Sequence, residues 1–200
     1  MKLYGKNPVL ERLKTNPKSI KNIFIEQGHA ESSYIHMKGK QHGIPVSAVP
    51  YSKIQKLGRN LNTQGIIADV DEFPYMNIDE LLDTAVSKKW SILFLDNLTD
   101  PQNLGGIMRT CGSLGGFGIV LPTSESVSVT ETVLRVACGG DNFVTVAKVA
   151  NLGQAIEKAK KLGFWIIGTA TKDAKSIVDV KLQFPLGLVL GAEDKGVREI

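Results

Sequence analysis

Apolar positions along this chain follow short mixed rhythms at first and a regular strand–helix alternation later. Up to about residue 72, Asn7-Pro8 followed by Val9, Leu10 and Leu13 predicts a short helix with proline in its first turn. Residues 22–26, 44–49 and 65–70 predict strands, and 32–43 and 52–57 predict helices between them. That order describes a small α/β sandwich. Asp71-Glu72-Phe73-Pro74-Tyr75 breaks the pattern, and Ile78, Leu81, Leu82 and Ala85 then fall at helical spacing. From residue 91 the chain alternates. Strands are expected at 91–96, 117–122, 143–147, 164–168 and 186–190, and helices at 103–114, 130–137 and 152–162. The first of these strands is a continuous apolar run, as a parallel strand covered on both faces requires. The expectation is a doubly wound α/β sheet, whose ligands bind beyond the carboxyl ends of its strands. Those ends are Asp96-Asn97, Pro122-Thr123, Gly168-Thr169-Ala170 and Gly191-Ala192-Glu193.

Charge adds an asymmetry. The chain carries +4 overall, but residues 1–72 hold eleven Lys/Arg against six Asp/Glu. A basic front half suits a polyanionic partner, and it equally suits a solvated lysine-rich surface. No apolar run is long enough for a membrane helix and the start lacks a secretory signal, so a cytoplasmic protein is expected. Cys111 and Cys138 read as buried free thiols. His29, His36 and His42 have no cysteine or carboxylate at ligand spacing, so no metal site is expected.

The stretch with most chemical character is Asn97-Leu98-Thr99-Asp100-Pro101-Gln102-Asn103-Leu104-Gly105-Gly106-Ile107-Met108-Arg109, between a buried strand and a helix. Asp100-Pro101 is a turn pair, and Asn103 suits a helix cap or first turn. Arg109, six residues on, can grip a phosphate or ribose oxygen, or pair with an acid on the same sheet. Leu114-Gly115-Gly116-Phe117-Gly118 lies between a helix and a strand, the wrong order for a dinucleotide loop, and reads as a helix cap. Cys138-Gly139-Gly140-Asp141-Asn142 reads as a turn rather than as catalytic machinery.

The Asn-x-x-Asp-Pro-x-Asn-x-Gly-x-x-x-Arg pattern resembles the first signature of SpoU-type ribose methyltransferases, the TrmH family of the SPOUT superfamily. Leu188-Val189-Leu190-Gly191-Ala192-Glu193-Asp194-Lys195-Gly196-Val197 resembles the second. Leu3-Tyr4-Gly5, Val9-Leu10-Glu11 and Gln64-Gly65-Ile66-Ile67-Ala68 look like the small RNA-binding domain of bacterial members that methylate a guanosine in large-subunit ribosomal RNA. The resemblance covers essentially the whole chain. It implies an RNA substrate-binding domain at 1–72, a joint and helix at 73–90, and a Rossmann-like SPOUT methyltransferase domain of the trefoil-knot type at 91–200. It also implies S-adenosylmethionine as methyl donor, no metal, and a homodimer. By matching positions, Asn103, Arg109 and Glu193 are the catalytic candidates. Thr169, Ala170, Leu190, Gly191 and Gly196 are the donor-binding candidates. Within this resemblance Arg109 is cast as the group that activates the 2′-hydroxyl.

The family's third motif, an Ile-Pro-Met segment followed by Ser-Leu-Asn, is not in this sequence, which stops at Ile200 inside an expected helix. The last knot elements and part of the adenine pocket are therefore expected to be missing, and a fragment of a longer protein is the expectation. Alternative readings are a transfer RNA ribose methyltransferase and a catalytically impaired RNA-binding relative.

Overall fold

The computed structural model describes residues 1–59, 61–170, 174–192 and 196–197. The first part runs β1 (Lys2–Tyr4), α1 (Lys6–Thr15), β2 (Ile20–Glu26), α2 (Ser32–His42), β3 (Val46–Val49), α3 (Tyr51–Leu57) and β4 (Ile66–Val70). Its sheet has the order β1-β4-β2-β3; β4 is antiparallel to both β1 and β2, and β3 is parallel to β2. The two-residue period of β4 sorts its side chains. Ile66, Ala68 and Val70 join Leu3, Ile23, Ile25, Val9, Leu13 and Ile35 on one face. Ile67 joins Tyr4 and Ile54 on the other. Strand β1 is not among the elements the sequence predicts. Three residues are too few to display a period, and its partner β4 lies more than sixty residues away, where Lys2 pairs with Asp69.

The second part runs α4 (Ile78–Lys88), β5 (Ser91–Leu95), α5 (Pro101–Leu114), β6 (Phe117–Pro122), α6 (Glu131–Ala137), β7 (Thr145–Val149), α7 (Leu152–Lys161), β8 (Trp165–Gly168) and β9 (Leu186–Leu190). All five strands are parallel, in the order β7-β6-β5-β9-β8. Helices α4 and α7 cover one face through Leu81, Leu82, Ala85, Leu152, Ile156 and Ala159. Helices α5 and α6 cover the other through Leu104, Met108, Val133, Leu134 and Ala137. The doubly wound expectation is met. Strand β7 starts two residues later than expected, because a 3₁₀ turn at Gly140–Asn142 occupies the approach to it. The helix expected after Gly196 falls on residues 198–200, outside the described residues.

The two sheets share one apolar core, since a single cluster of buried residues runs from Leu3, Val9 and Leu13 to Leu93, Met108 and Val146. Polar contacts reinforce the junction. The Lys2 amide donates to Glu131 Oε1 of α6 at 2.7 Å. The Met76 amide donates to the Val146 carbonyl at 2.9 Å, and the Val129 amide to the Tyr75 hydroxyl at 2.9 Å. The segment between the sheets is thus pinned to the second one.

Burial has measurable consequences. Phe94 is fully buried in β5 among the residues facing α4 and α7. Phe94→Ala is expected to cost about 3–5 kcal/mol, read as a lower urea midpoint with little change in slope. Burial also pushes the Cys111 thiol up from 9.0 to about 11. The folded state then keeps a proton that the unfolded state releases, so this contribution to stability is lost as pH rises through that interval. At about pH 8 iodoacetamide is expected to leave Cys111 unmodified in the folded protein and to alkylate it readily after unfolding. Equal labelling rates by mass spectrometry would contradict the burial.

Candidate active site

The carboxyl ends of β5 and β9 are tied together where the Asp96 amide donates to the Leu190 carbonyl at 2.8 Å. Asn97 follows in the left-handed region at φ 55°, and turns the chain out of the sheet. The Leu98 carbonyl accepts from the Val127 amide at 2.7 Å and from Ser126 Oγ at 3.2 Å, which anchors the turn. Asp100 caps α5, its Oδ1 accepting from the Gln102 amide at 2.7 Å, with Pro101 in the first helical turn. Asn103 therefore lies in the first turn, not at the cap.

From there the helical pitch decides what each side chain meets. Gln102, Asn103, Gly106, Ile107, Thr110 and Cys111 lie along one arc and form one wall of a cavity of about 570 Å³. Leu93, Leu95 and Leu98 form its floor, and Leu190, Gly191 and Thr169 close the far side. A mostly apolar cavity of this size with a few convergent polar groups suits a nucleoside-sized ligand. It sits where a doubly wound sheet is expected to bind, at the ends of β5, β9 and β8.

Of the residues singled out from sequence, the cavity brings together Asn103, Thr169, Leu190 and Gly191. Thr169 is held by its amide and its Oγ1, both donating to the Val189 carbonyl at 3.0 and 3.2 Å. Gly196 acts at one remove. Its amide donates to the Ala192 carbonyl at 2.8 Å, and a Cβ on Gly191 would overlap the backbone of Gly196 and Val197. Any side chain at Gly191 would thus have to push Gly196 and Val197 away. Ala170 is exposed and is not on the wall, because the chain leaves the sheet after Thr169. Glu193 lies outside the described residues.

Arg109 stands apart from the cavity. Six residues along the helix rotate it about 120° from Asn103, and its side chain is exposed. Among the described residues it makes no ion pair. Its backbone is packed against Gly140, and its carbonyl accepts from Ser113 Oγ at 2.9 Å.

The sequence reading assigned no role to Arg12 or Asp141. Arg12 of α1 and Asp141 of the 3₁₀ turn form an ion pair, each 6% exposed. Burial raises the Asp141 carboxyl above its ordinary range, against the opposing pull of Arg12. A signal was available, since Arg12 occupies the apolar stripe of α1 beside Val9 and Leu13. Helical spacing from Asn103 would likewise have found Ile107 and Thr110. Among the described residues no group of three or more His, Cys, Asp or Glu side chains comes together.

Comparison with known proteins matches the sequence to two family models. Residues 91–200 match the SpoU rRNA Methylase family, and residues 2–76 match the family described as RNA 2′-O ribose methyltransferase substrate binding. The chain is 34% identical over 196 residues to YacO of Bacillus subtilis, named as a TrmH family tRNA/rRNA methyltransferase, covering 96% of this chain and 78% of that one. It is 30% identical over 204 residues to the 23S rRNA (guanosine-2′-O-)-methyltransferase RlmB of Pseudomonas putida, covering 82% of that protein. In fold it is similar to the SpoU methyltransferase AviRb of Streptomyces viridochromogenes in complex with AdoMet, with a TM-score of 0.79, 18% identity, and coverage of all of this chain and 76% of that one. An AdoMet-bound rRNA methyltransferase of Sinorhizobium meliloti superposes with a TM-score of 0.77 at 22% identity, covering 98% of this chain and 72% of that one. The substrate-binding and methylase matches, in this order along one chain, show that the protein belongs to the SpoU family of RNA methyltransferases.

Proposed function

We propose that this protein transfers a methyl group from S-adenosylmethionine to the ribose 2′-hydroxyl of a guanosine in large-subunit ribosomal RNA. The observation that carries this reading is the cavity at the ends of β5, β8 and β9, with Asn103 on one wall and the Gly191 turn on the other. Its apolar floor suits an adenine ring, and Thr169 and Asn103 offer polar groups to a ribose and an amino-acid tail. S-adenosylmethionine, when bound, supplies a methyl group on a positively charged sulfur. Glu193, by its place in the second motif, is assigned with Asn103 and Arg109 to the catalytic residues. The likeness of the whole chain to RlmB supports ribosomal RNA and guanosine.

The chain's own residues then have separable tasks. Holding the 2′-oxygen in line with the methyl carbon supplies much of the acceleration, ~7 kcal/mol or more for good alignment. Asn103 helps to orient the reacting groups at the cavity mouth. Arg109 is a permanent cation and a poor base. It holds a phosphate beside the target ribose and stabilises charge developing on the 2′-oxygen. Residues 1–72 bind the RNA, 73–90 join the parts, and 91–200 carry the chemistry. Lys18, Lys40, Lys56 and Arg59 are exposed and unpaired with acids among the described residues, so they are available to phosphates. The protein acts in the cytoplasm as a homodimer.

Tritiated methyl transfer to unmodified large-subunit ribosomal RNA tests the reading. Incorporation that alkaline digestion recovers in a 2′-O-methylguanosine dinucleotide is expected. Labelling of transfer RNA alone would overturn the substrate assignment. Arg109→Ala is expected to lower kcat by roughly 100- to 1,000-fold with RNA affinity within a few-fold, and Arg109→Lys to recover part of it. A full recovery by lysine would show that charge alone suffices, without the planar fork. Light scattering on the eluted protein is expected to give twice the chain mass, and a monomer would rule out the dimer.

A further inference from the structure

Arg109 is exposed on α5, so its placement depends on what packs behind it. The 3₁₀ turn Gly140–Asn142 fills that space as a wedge between α5 and α1. On the α5 side, a Cβ on Gly140 would come within 2.7 Å of the Arg109 Cα and 2.9 Å of the Met108 carbonyl oxygen. A Cβ on Gly112 would come within 2.6 Å of the Gly140 carbonyl oxygen. On the α1 side, a Cβ on Gly139 would come within 2.5 Å of Glu11 Cγ. On the α5 side backbone meets backbone with no flexible side chain between them, so a shift of the turn is passed to α5 rather than absorbed.

One polar contact secures the wedge. Arg12 Nη2 donates to Asp141 Oδ2, and Arg12 Nη1 donates to Ser19 Oγ at 3.1 Å. Ser19 Oγ in turn donates to the Asn16 carbonyl at 2.8 Å, which ties the guanidinium to the end of α1. Within the turn, Asn142 Nδ2 donates to the Gly139 carbonyl at 2.9 Å. The pair is buried between the two sheets, where a directional charged contact discriminates strongly among arrangements.

We propose that Arg12 and Asp141 are positioning residues for methyl transfer: the pair docks α1 of the first domain onto the Gly140–Asn142 turn, and the turn, through Gly140, sets the position of Arg109. Alignment of the catalytic arginine is thereby coupled to docking of the domain that receives the RNA. This inference rests on the reading of Arg109 given above.

The test uses Arg12→Met with Asp141→Leu together, which removes both charges at similar volume and leaves no buried charge unpaired. Thermal unfolding, binding of S-adenosylmethionine, binding of unmodified ribosomal RNA, and kcat and KM for its methylation are measured. The expected result is a kcat lowered roughly 10- to 100-fold with both affinities nearly unchanged, the behaviour of a misplaced group. In an Arg109→Lys background the same pair of changes is expected to lower kcat much less, because both act at one place. An unchanged kcat in the double variant, or a full further loss in the Arg109→Lys background, would overturn the proposal. If the double variant does not fold, Asp141→Asn preserves shape while weakening the contact, and the same kcat criterion applies to it. Unimpaired activity of Arg109→Ala would instead refute the role of Arg109, and the coupling with it.

Discussion

Strand β5 is the constraint on which this structure turns. Every residue from Ser91 to Leu95 is buried, with β6 on one edge and β9 on the other. A strand in that position has no face left for water, so both faces must be covered by helices. Helices α4 and α7 do so on one side, α5 and α6 on the other. Only one direction of escape remains, past the carboxyl end, and the chain takes it through Asp96, Asn97 and Leu98 into α5. The cavity beside Asn103 is a consequence of that exit. It forms where the α5 helix leans over the ends of β5 and β9, and where β8 contributes Thr169.

The first sheet is less independent than its separate strand order suggests. Its α1 helix and its β1 strand face the same apolar cluster that α5 and α6 face, so the two sheets are joined by core rather than by a bare tether. At the centre of that joint sits a buried ion pair, Arg12 with Asp141. Such a pair contributes little net stability compared with apolar residues of the same shape, yet removing one partner alone typically costs about 3–5 kcal/mol. Its physical meaning is therefore specificity of docking more than strength of docking.

Much of the architecture was legible because it rests on local or periodic signals. The parallel strands announced themselves as apolar runs, and α4 and α7 as three- and four-residue spacings. Gly115 marked the end of α5, whose start at Pro101 lies two residues before the expected one at Asn103, because Asp100-Pro101 reads as a turn and is the helix cap and first residue. The elements that escaped depend on distant partners. Strand β1 exists because β4 offers an edge, and its three residues carry no period of their own. The start of β7 moved because the chain spends Gly140–Asn142 in a turn that packs on α5, a requirement invisible in the local pattern. Ala170 looked equivalent to Thr169 by adjacency, but it stands two residues past the end of β8 and is not on the cavity wall.

By itself, the sequence determined the family, the alternation of strand and helix, and the stretches from which the site is built, because motif spacing and hydrophobic period are properties of neighbouring residues. It placed Asn103 and Arg109 on one helix and Gly191 on a strand end. Tertiary structure alone decided which of them face one another. Helical pitch turns Asn103 into the cavity and Arg109 out of it, and only the folding of the 3₁₀ turn against α5 shows what stands behind Arg109. The link from Arg12 to Asp141 spans 129 positions in the chain. No local pattern can reveal such a contact, because it exists only once the two sheets have been packed together.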